Sequence, residues 1–292
     1  MLKLTPHMRR HRGLAFAVAA ATLLVPATAA AHAAAPSVDV IVRDSRIDVK
    51  GADDLGRGPV RLRLSGAALD GARTVAVVAL RDGVTRADVD DAVDHGAGAA
   101  LASAPGARAS EHALSGLARL GRLVAGGRVS ADEGHVTTIV AAAGEYAVLD
   151  VTAEDGGVAE FTVGTKHSGA RVPRSDATIG LRDKGFYLPS VLPADGIVRI
   201  SNQGDLVHQA TAYRLKRSVT YREAVRAAQR GRDLGAYGTS TVLTGAISPA
   251  AVSRVDVSLR RGRYLVVSEY TPLRLGAVSD VDRGLVAATR VR

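Results

Sequence analysis

LRDGVTRADVDDAVDHG, at residues 80–96, and LKRSVTYREAVRAAQRG, at residues 215–231, are two versions of one pattern, 135 residues apart. A second matching pair follows, AAAGEYAVLD at residues 141–150 and LRRGRYLVVS at residues 259–268, now 118 residues apart. A repeat of this length is a whole folding unit rather than one turn of a solenoid. The sequence therefore predicts two tandem domains of related design.

The first 33 residues are typical of a secretory signal peptide. Four basic residues and no acid precede an almost wholly apolar stretch at residues 13–31, and small residues cluster at its end. The apolar core is shorter than the roughly 20 residues of a membrane span. We therefore expect a cleaved leader, a mature chain with no transmembrane segment, and a secreted or extracytoplasmic location. Cleavage is expected after Ala33, with Ala29 and Ala31 as the alternatives.

Period-two alternation dominates the mature chain, as in VRLRL at residues 60–64, and is typical of half-buried strands. One helix interrupts each set of strands, capped by Thr85 and running through His95 in the first half, and beginning at Thr220 in the second. The Ala/Gly-rich residues 96–109 are predicted to form a loop.

This pattern predicts a mainly β fold of two tandem Greek-key β-sandwich domains, each with one inserted helix. Each domain is expected to keep its own sheets, with no sheet continuing from one half into the other. The expected boundaries are 34–164 for the first domain, 165–176 for the linker and 177–292 for the second domain.

Three segments of the second half carry a family resemblance. Residues 186–194 read FYLPSVLPA, and residues 198–208 read VRISNQGDLVH, an apolar strand that leads through an Asn-x-Gly turn to a histidine. Residues 262–268 read GRYLVVS. These segments resemble the cupredoxins, β-sandwich proteins of the plastocyanin and azurin type, and the inserted helix resembles that of exported bacterial members. The resemblance covers nearly all of residues 178–292 and, more faintly, residues 38–164.

The resemblance implies a copper site, but the residues at its positions do not supply one. A blue-copper site takes two imidazoles, one thiolate and a weak axial ligand, usually Met. His208 matches the first imidazole, whereas Ser268 stands at the thiolate position and residues 269–284 contain no His and no Met. In the first half, Asp150 matches Ser268, and Ala76 or a neighbour replaces the histidine. We therefore predict no electron transfer and no cofactor.

His208 is the one candidate metal ligand that remains. A lone histidine on a strand that enters a sandwich is more often a hydrogen-bonded boundary residue than a ligand. The other mature histidines lie singly, without metal-ligand spacing, at His95, His112, His135 and His167. Metal handling, of copper or another transition metal, through an atypical site near His208 is the alternative function.

Catalytic signatures are scarce. The chain contains no Cys, which excludes a thiol nucleophile. GTKHSG at residues 164–169 lies on a polar linker rather than on a strand-to-helix elbow, and the paired acids are typical of a solvated surface. We predict that the protein is not an enzyme, the remaining alternative being an enzyme whose site cannot be recognised in one sequence.

Charge divides the chain into two unlike halves. Residues 36–170 hold 14 basic and 19 acidic residues, and residues 171–292 hold 20 basic and 10 acidic residues. On the second helix, Arg222, Arg226 and Arg230 recur every four residues and form one stripe. The stripe is a candidate site for an anionic cell-surface polymer or an acidic protein, the alternative being a solvated face. Nucleic acid is disfavoured by export and by the lack of interleaved aromatic residues.

These features together predict an exported, non-catalytic binding or structural protein of the cell surface, built on cupredoxin-like domains without copper.

Overall fold

The computed structural model describes residues 34–101, 116–152, 157–268 and 284–292. The expected signal peptide, its cleavage site after Ala33, and His112 lie outside the described residues. Within these ranges, no helix has both the length and the apolar character that crossing a membrane requires.

The first half contributes strands β1–β8 and helix α1, which is inserted after β4. These elements are β1 (Ser37–Val42), β2 (Ile47–Lys50), β3 (Gly56–Gly66), β4 (Arg73–Leu80), α1 (Arg86–Leu101), β5 (Gly121–Val129), β6 (His135–Ala141), β7 (Gly144–Asp150) and β8 (Val158–His167). Residues 116–120 are also helical and lead directly into β5.

The second half repeats this order with strands β9–β17 and helix α2. These elements are β9 (Ala177–Arg182), β10 (Gly185–Tyr187), β11 (Val191–Leu192), β12 (Asp195–Asn202), β13 (His208–Leu215), α2 (Tyr221–Gln229), β14 (Gly238–Ile247), β15 (Val252–Ser258), β16 (Gly262–Val267) and β17 (Val286–Val291). A short 3-10 helix, Leu234–Ala236, precedes β14.

Strand pairing is the same in the two halves. In the first half β3 pairs with β6, and in the second half β12 pairs with β15. Likewise, β4 lies between β5 and β7 in the first half, and β13 lies between β14 and β16 in the second. The register agrees as well, because Ala76 is opposite Leu149 and Thr211 is opposite Val267. These pairs differ by the same 135 and 118 residues as the sequence repeats. The predicted mainly β fold of two tandem β-sandwiches, with a helix inserted in each, is confirmed.

One sheet runs through both halves. β6 pairs with β15 in antiparallel fashion, with Ile139 opposite Ser253 and Thr138 opposite Arg254. This contact joins β9, β12 and β15 to β6, β3 and β1 in a single sheet. The expectation that each half keeps its own sheets is therefore wrong. Pairing β6 with β15 satisfies backbone groups that two exposed edges would leave open, which explains why the halves join here.

Strands β5 and β14 form a second contact between the halves. Gly126 and Gly245 approach so closely that a Cβ at position 245 would lie 2.9 Å from the Gly126 carbonyl carbon. Leu123 and Ser248 are joined by two hydrogen bonds, each of 2.9 Å. The sequence pattern did not predict either strand, because backbone contact at glycine leaves no alternation of apolar side chains to recognise.

Each helix packs on the sheet of its own half. Val89 and Val93 of α1 belong to one buried cluster, and the alanines of α2 belong to another. Helix α1 runs to Leu101, so the first part of the loop predicted at residues 96–109 is helical, and the part beyond 101 lies outside the described residues. Strand β8 continues to His167, three residues into the segment expected to be the linker.

Candidate functional site

His208 and Ser268 lie side by side at one end of the second sandwich. His208 begins β13, and Ser268 follows the last residue of β16, its neighbouring strand. Both residues are fully buried, and the Gln209 N–H donates to Ser268 Oγ at 3.3 Å. The structure therefore brings together the two positions at which the cupredoxin resemblance places the first imidazole and the thiolate.

Asp183, in the turn between β9 and β10, holds the His208 ring. His208 Nε2 lies 2.9 Å from Asp183 Oδ1, and the N–H groups of Asp205 and Leu206 donate to the same oxygen at 3.1 and 3.2 Å. Burial acts to raise the pKa of Asp183, but the hydrogen bonds from Asp205, His208 and Leu206 outweigh it and hold that pKa below its ordinary value. The ionised carboxylate thus ties the segment before β13 to the β9–β10 turn.

The first half has different residues at the matching positions. Because β4 and β13 share one register with β7 and β16, Arg73 begins β4 at the position of His208. The interpretation that Ala76 or a neighbour replaces the histidine is corrected by this register, which places Ala76 three residues further along the strand. Asp150 ends β7 at the position of Ser268, in agreement with the sequence match.

Arg73 links two carboxylates in the first half. Its Nε lies 3.8 Å from Oδ2 of Asp150, and its Nη2 lies 3.7 Å from Oδ1 of Asp44. Asp150 is buried and also accepts from the N–H and the hydroxyl of Thr152, at 2.9 and 2.6 Å. Asp44 lies in the β1–β2 turn, the counterpart of the turn that carries Asp183. An ion-paired cluster thus takes the place that Asp183, with His208 and Ser268, takes in the second half.

These donors do not fit a copper ion. The hydroxyl of Ser268 is too weakly acidic to act as a thiolate. The chain contains no Cys, and residues 269–283 contain no His and no Met. Among the described residues, no group of three or more His, Cys, Asp or Glu side chains could hold a metal ion. The clusters in both halves are therefore hydrogen-bonded and ion-paired structures at the positions where the sequence resemblance places copper ligands.

His135, at the start of β6, is also buried but lies in a different setting. Its ring packs against Gly127, and its Nε2 has no hydrogen-bond partner among the described residues. Burial lowers the pKa of His135 to about 4. His167 is exposed at the end of β8, and His95 lies within α1. The structure does not gather His135 or His167 with His208 into a metal-binding group within the described ranges.

Arg222, Arg226 and Arg230, the α2 arginine stripe, lie exposed on the outer face of α2. None of the three has an acidic partner in the part of the chain that the structure describes. Glu223, the acid of this helix, is engaged at its N-terminus, where Thr220 and Glu223 form a capping box. The charge of the stripe is therefore not neutralised within its own helix.

Helix α1 has the opposite surface chemistry. Asp90 pairs with Arg86 at 2.8 Å, and Asp88 accepts from the N–H and hydroxyl of Thr85 at the start of the helix. The acids of α1 are thus partly engaged by their own helix, whereas the arginines of α2 are not.

Comparison with known proteins places copper proteins among the similar solved structures. No family model and no curated protein matches the sequence. Dithionite-reduced auracyanin from the photosynthetic bacterium Roseiflexus castenholzii is 10% identical, with 41% of this chain and 99% of that chain covered and a TM-score of 0.28. Lac15 from a marine microbial metagenome is 14% identical, with 88% and 65% covered and a TM-score of 0.28. The multicopper oxidase McoA from Aquifex aeolicus is 12% identical, with 88% and 66% covered and a TM-score of 0.27. At these TM-scores the likeness assigns no residue of this chain a role.

Proposed function

We propose that this chain is an exported, non-catalytic binding protein of the cell surface, and that helix α2 binds an anionic surface polymer. The observation that carries the proposal is the α2 arginine stripe, three exposed guanidinium groups on one helix face with no acidic partner among the described residues. The polar clusters around His208 and Arg73 support a role without redox chemistry, because their donors do not match those of copper.

Packing holds the stripe in a fixed position. Ala224, Ala227 and Ala228 are buried against the sheet, and the hydroxyl of Tyr221 donates to the Thr289 carbonyl at 2.7 Å. Since the helix cannot turn on the sheet, the three guanidinium groups face outward together. Like charges four residues apart destabilise a helix by about 0.2–0.5 kcal/mol per pair. A bound polyanion would offset this repulsion.

Charge reversal of the stripe tests the proposal. The variant R222E/R226E/R230E should lose its retention on immobilised alginate, a polyuronate, at low ionic strength. Retention of the unmodified protein should fall steeply as salt rises, because exposed charges are screened over about 10 Å at 0.1 M. Unfolding midpoints should be close in the two proteins, since all three side chains are exposed.

A matched control separates the stripe from net charge. The variant R81E/R122E/R128E changes the charge by the same amount, at arginines that are exposed on the first half. We expect this variant to be retained on alginate much as the unmodified protein is. Equal loss of retention in both variants would show that the stripe is only a solvated face and that binding follows net charge.

A further inference from the structure

Arg199 and Arg254 lie directly opposite each other on the neighbouring strands β12 and β15. The residues beside them, such as Val198 and Val255, are buried in the core beneath the sheet. Because side chains alternate along a strand, both arginines are on the outer face. Side chains directly opposite in an antiparallel pair have Cβ atoms about 4.5–5.5 Å apart. The two residues, here called the sheet arginine pair, therefore place two positive charges in one small area.

The sheet that joins the two halves extends this pair into a longer row. Thr138 of β6 is opposite Arg254, and Arg61 of β3 is opposite Thr138. The guanidinium group of Arg61 is paired with Oδ2 of Asp256, whereas Oδ1 of Asp256 has no hydrogen-bond partner among the described residues. Within the described ranges, neither member of the sheet arginine pair has an acidic partner.

The pair is unfavourable for the folded protein in the absence of a counter-ion. Like charges directly opposite on a sheet are destabilising. Nε of Arg254 is buried and has no hydrogen-bond partner among the described residues, and Arg199 donates to Ser201 Oγ at 3.4 Å. Burial and then the charge of Arg199 lower the pKa of Arg254 below its ordinary value. An anion between the two guanidinium groups would supply hydrogen-bond acceptors and reduce the repulsion.

We propose that the sheet arginine pair binds a tetrahedral oxyanion, and that the ligand class is the phosphate group. A guanidinium group presents a planar fork of N–H donors that matches two oxygens of an oxyanion. A phosphate has enough oxygens to face two forks at once, whereas a carboxylate has two oxygens and matches one fork. The site lies on the shared sheet, apart from the α2 arginine stripe, and it does not rest on the function proposed for that helix.

Thermal unfolding in phosphate and in chloride at equal ionic strength tests the site. A ligand that binds only the folded state stabilises that state. A phosphate concentration ten times the dissociation constant should therefore raise the Tm by about 3–5 °C. The variants R199Q and R254Q should lose this rise. In chloride, their Tm should equal or exceed that of the unmodified protein, since the repulsion between the two charges is gone.

Two controls make the result specific. R63Q removes an exposed arginine of β3 on the same sheet, and R222Q/R226Q/R230Q neutralises the α2 arginine stripe; both should keep the full response to phosphate. The proposal is overturned if R199Q and R254Q respond to phosphate as the unmodified protein does, or if that protein shows no response.

Calorimetric titration then identifies the source of the phosphate group. Tighter binding of polyphosphate per phosphate group assigns the site to a polymer, and equal binding assigns it to free phosphate.

Discussion

At the scale of single residues, two polar clusters stand at the positions where the sequence resemblance places copper ligands. Asp183 accepts backbone hydrogen bonds and contacts the His208 ring, and Arg73 links Asp44 to Asp150. A buried charge is stable only where it is paired or hydrogen-bonded. The Arg73 cluster pairs its buried charges by an ion pair of 3.8 Å between Arg73 Nε and Asp150 Oδ2 rather than by a hydrogen bond. Neither cluster contains the two imidazoles and one thiolate that copper requires.

We expect His208 to contribute nothing to Cu(II) binding, because the chain contains no Cys and, among the described residues, no group of three metal-binding side chains includes this ring. The dissociation constant measured by calorimetry should be the same for His208→Gln as for the unmodified protein. A thiolate-to-copper absorption band should be absent. His167→Gln, at an exposed position, is the matched control. A clear loss of affinity in His208→Gln, with His167→Gln unaffected, would favour the metal-handling alternative.

Protonation of His135 should weaken the fold in mild acid. Burial lowers its pKa from 6.5 to about 4, so the unfolded chain takes up a proton at a pH where the folded protein does not. The stabilisation from the neutral ring is complete above pH 6.5 and is lost as the pH falls towards 4, amounting to about 3 kcal/mol at the lower end.

Urea unfolding at a series of pH values measures this loss. His135→Leu should flatten the dependence of the unfolding free energy on pH within that window, and His167→Gln should not. The ionised carboxylate of Asp183 also stabilises the folded protein, but over a lower pH range. Because its pKa lies below the ordinary value, this stabilisation is lost only in stronger acid. An unchanged pH slope in His135→Leu would contradict the assignment.

At the scale of elements, the two halves meet through strand edges. β6 pairs with β15, and β5 lies against β14 with Gly126 facing Gly245. Because glycine has no side chain, the two backbones can approach to a distance that any other residue would prevent. These two contacts position β12 and β15 beside β3 and β6. They therefore also place Arg61 of β3 on the same outer face as the sheet arginine pair.

A methyl group at the glycine contact should separate the strands. In Gly245→Ala, the new Cβ would lie within 3.1 Å of three backbone atoms of Gly126 and Gly127. Backbone cannot swing aside as a flexible side chain can, so we expect the unfolding free energy to fall by about 1–3 kcal/mol. Gly71→Ala is the control, since its Cβ would meet nothing within 4 Å. Equal stability of the two variants in urea unfolding would show that the β5–β14 contact is loose.

Local sequence patterns predicted the strands and helices well, but they did not predict how these elements contact one another. Alternation predicted strands such as β3, and Thr85 and Thr220 predicted both helix starts. The offset of 118 residues predicted the match of Asp150 with Ser268, and the offset of 135 applied to His208 leads directly to Arg73. Asp183 was not predicted, because it meets His208 through a turn 25 residues earlier in the chain. Alternation shows which face of a strand is buried but not which edge it pairs with, so the shared sheet could not be predicted either.

At the scale of the whole molecule, the shared sheet makes the halves depend on each other. The described residues belong to one compact unit, although the sequence repeat divides them into two. If one half unfolded alone, the other would be left with an open edge at β6 or β15 and with Arg61 and Asp256 parted. Both losses are unfavourable, because an exposed edge leaves backbone groups unpaired and a half-buried charge loses its partner.

We therefore expect the unmodified protein to unfold in one cooperative heat-absorption peak, with equal calorimetric and van't Hoff enthalpies. Gly245→Ala loosens one of the two contacts between the halves, so its peak should broaden or divide while that of Gly71→Ala stays single. Differential scanning calorimetry measures both quantities on the intact chain. Two separate peaks in the unmodified protein would show that the halves are independent domains. In that case the β6–β15 pairing would contribute little to stability, and β15, the strand that carries Arg254, would be an open edge of the second half while that half was still folded.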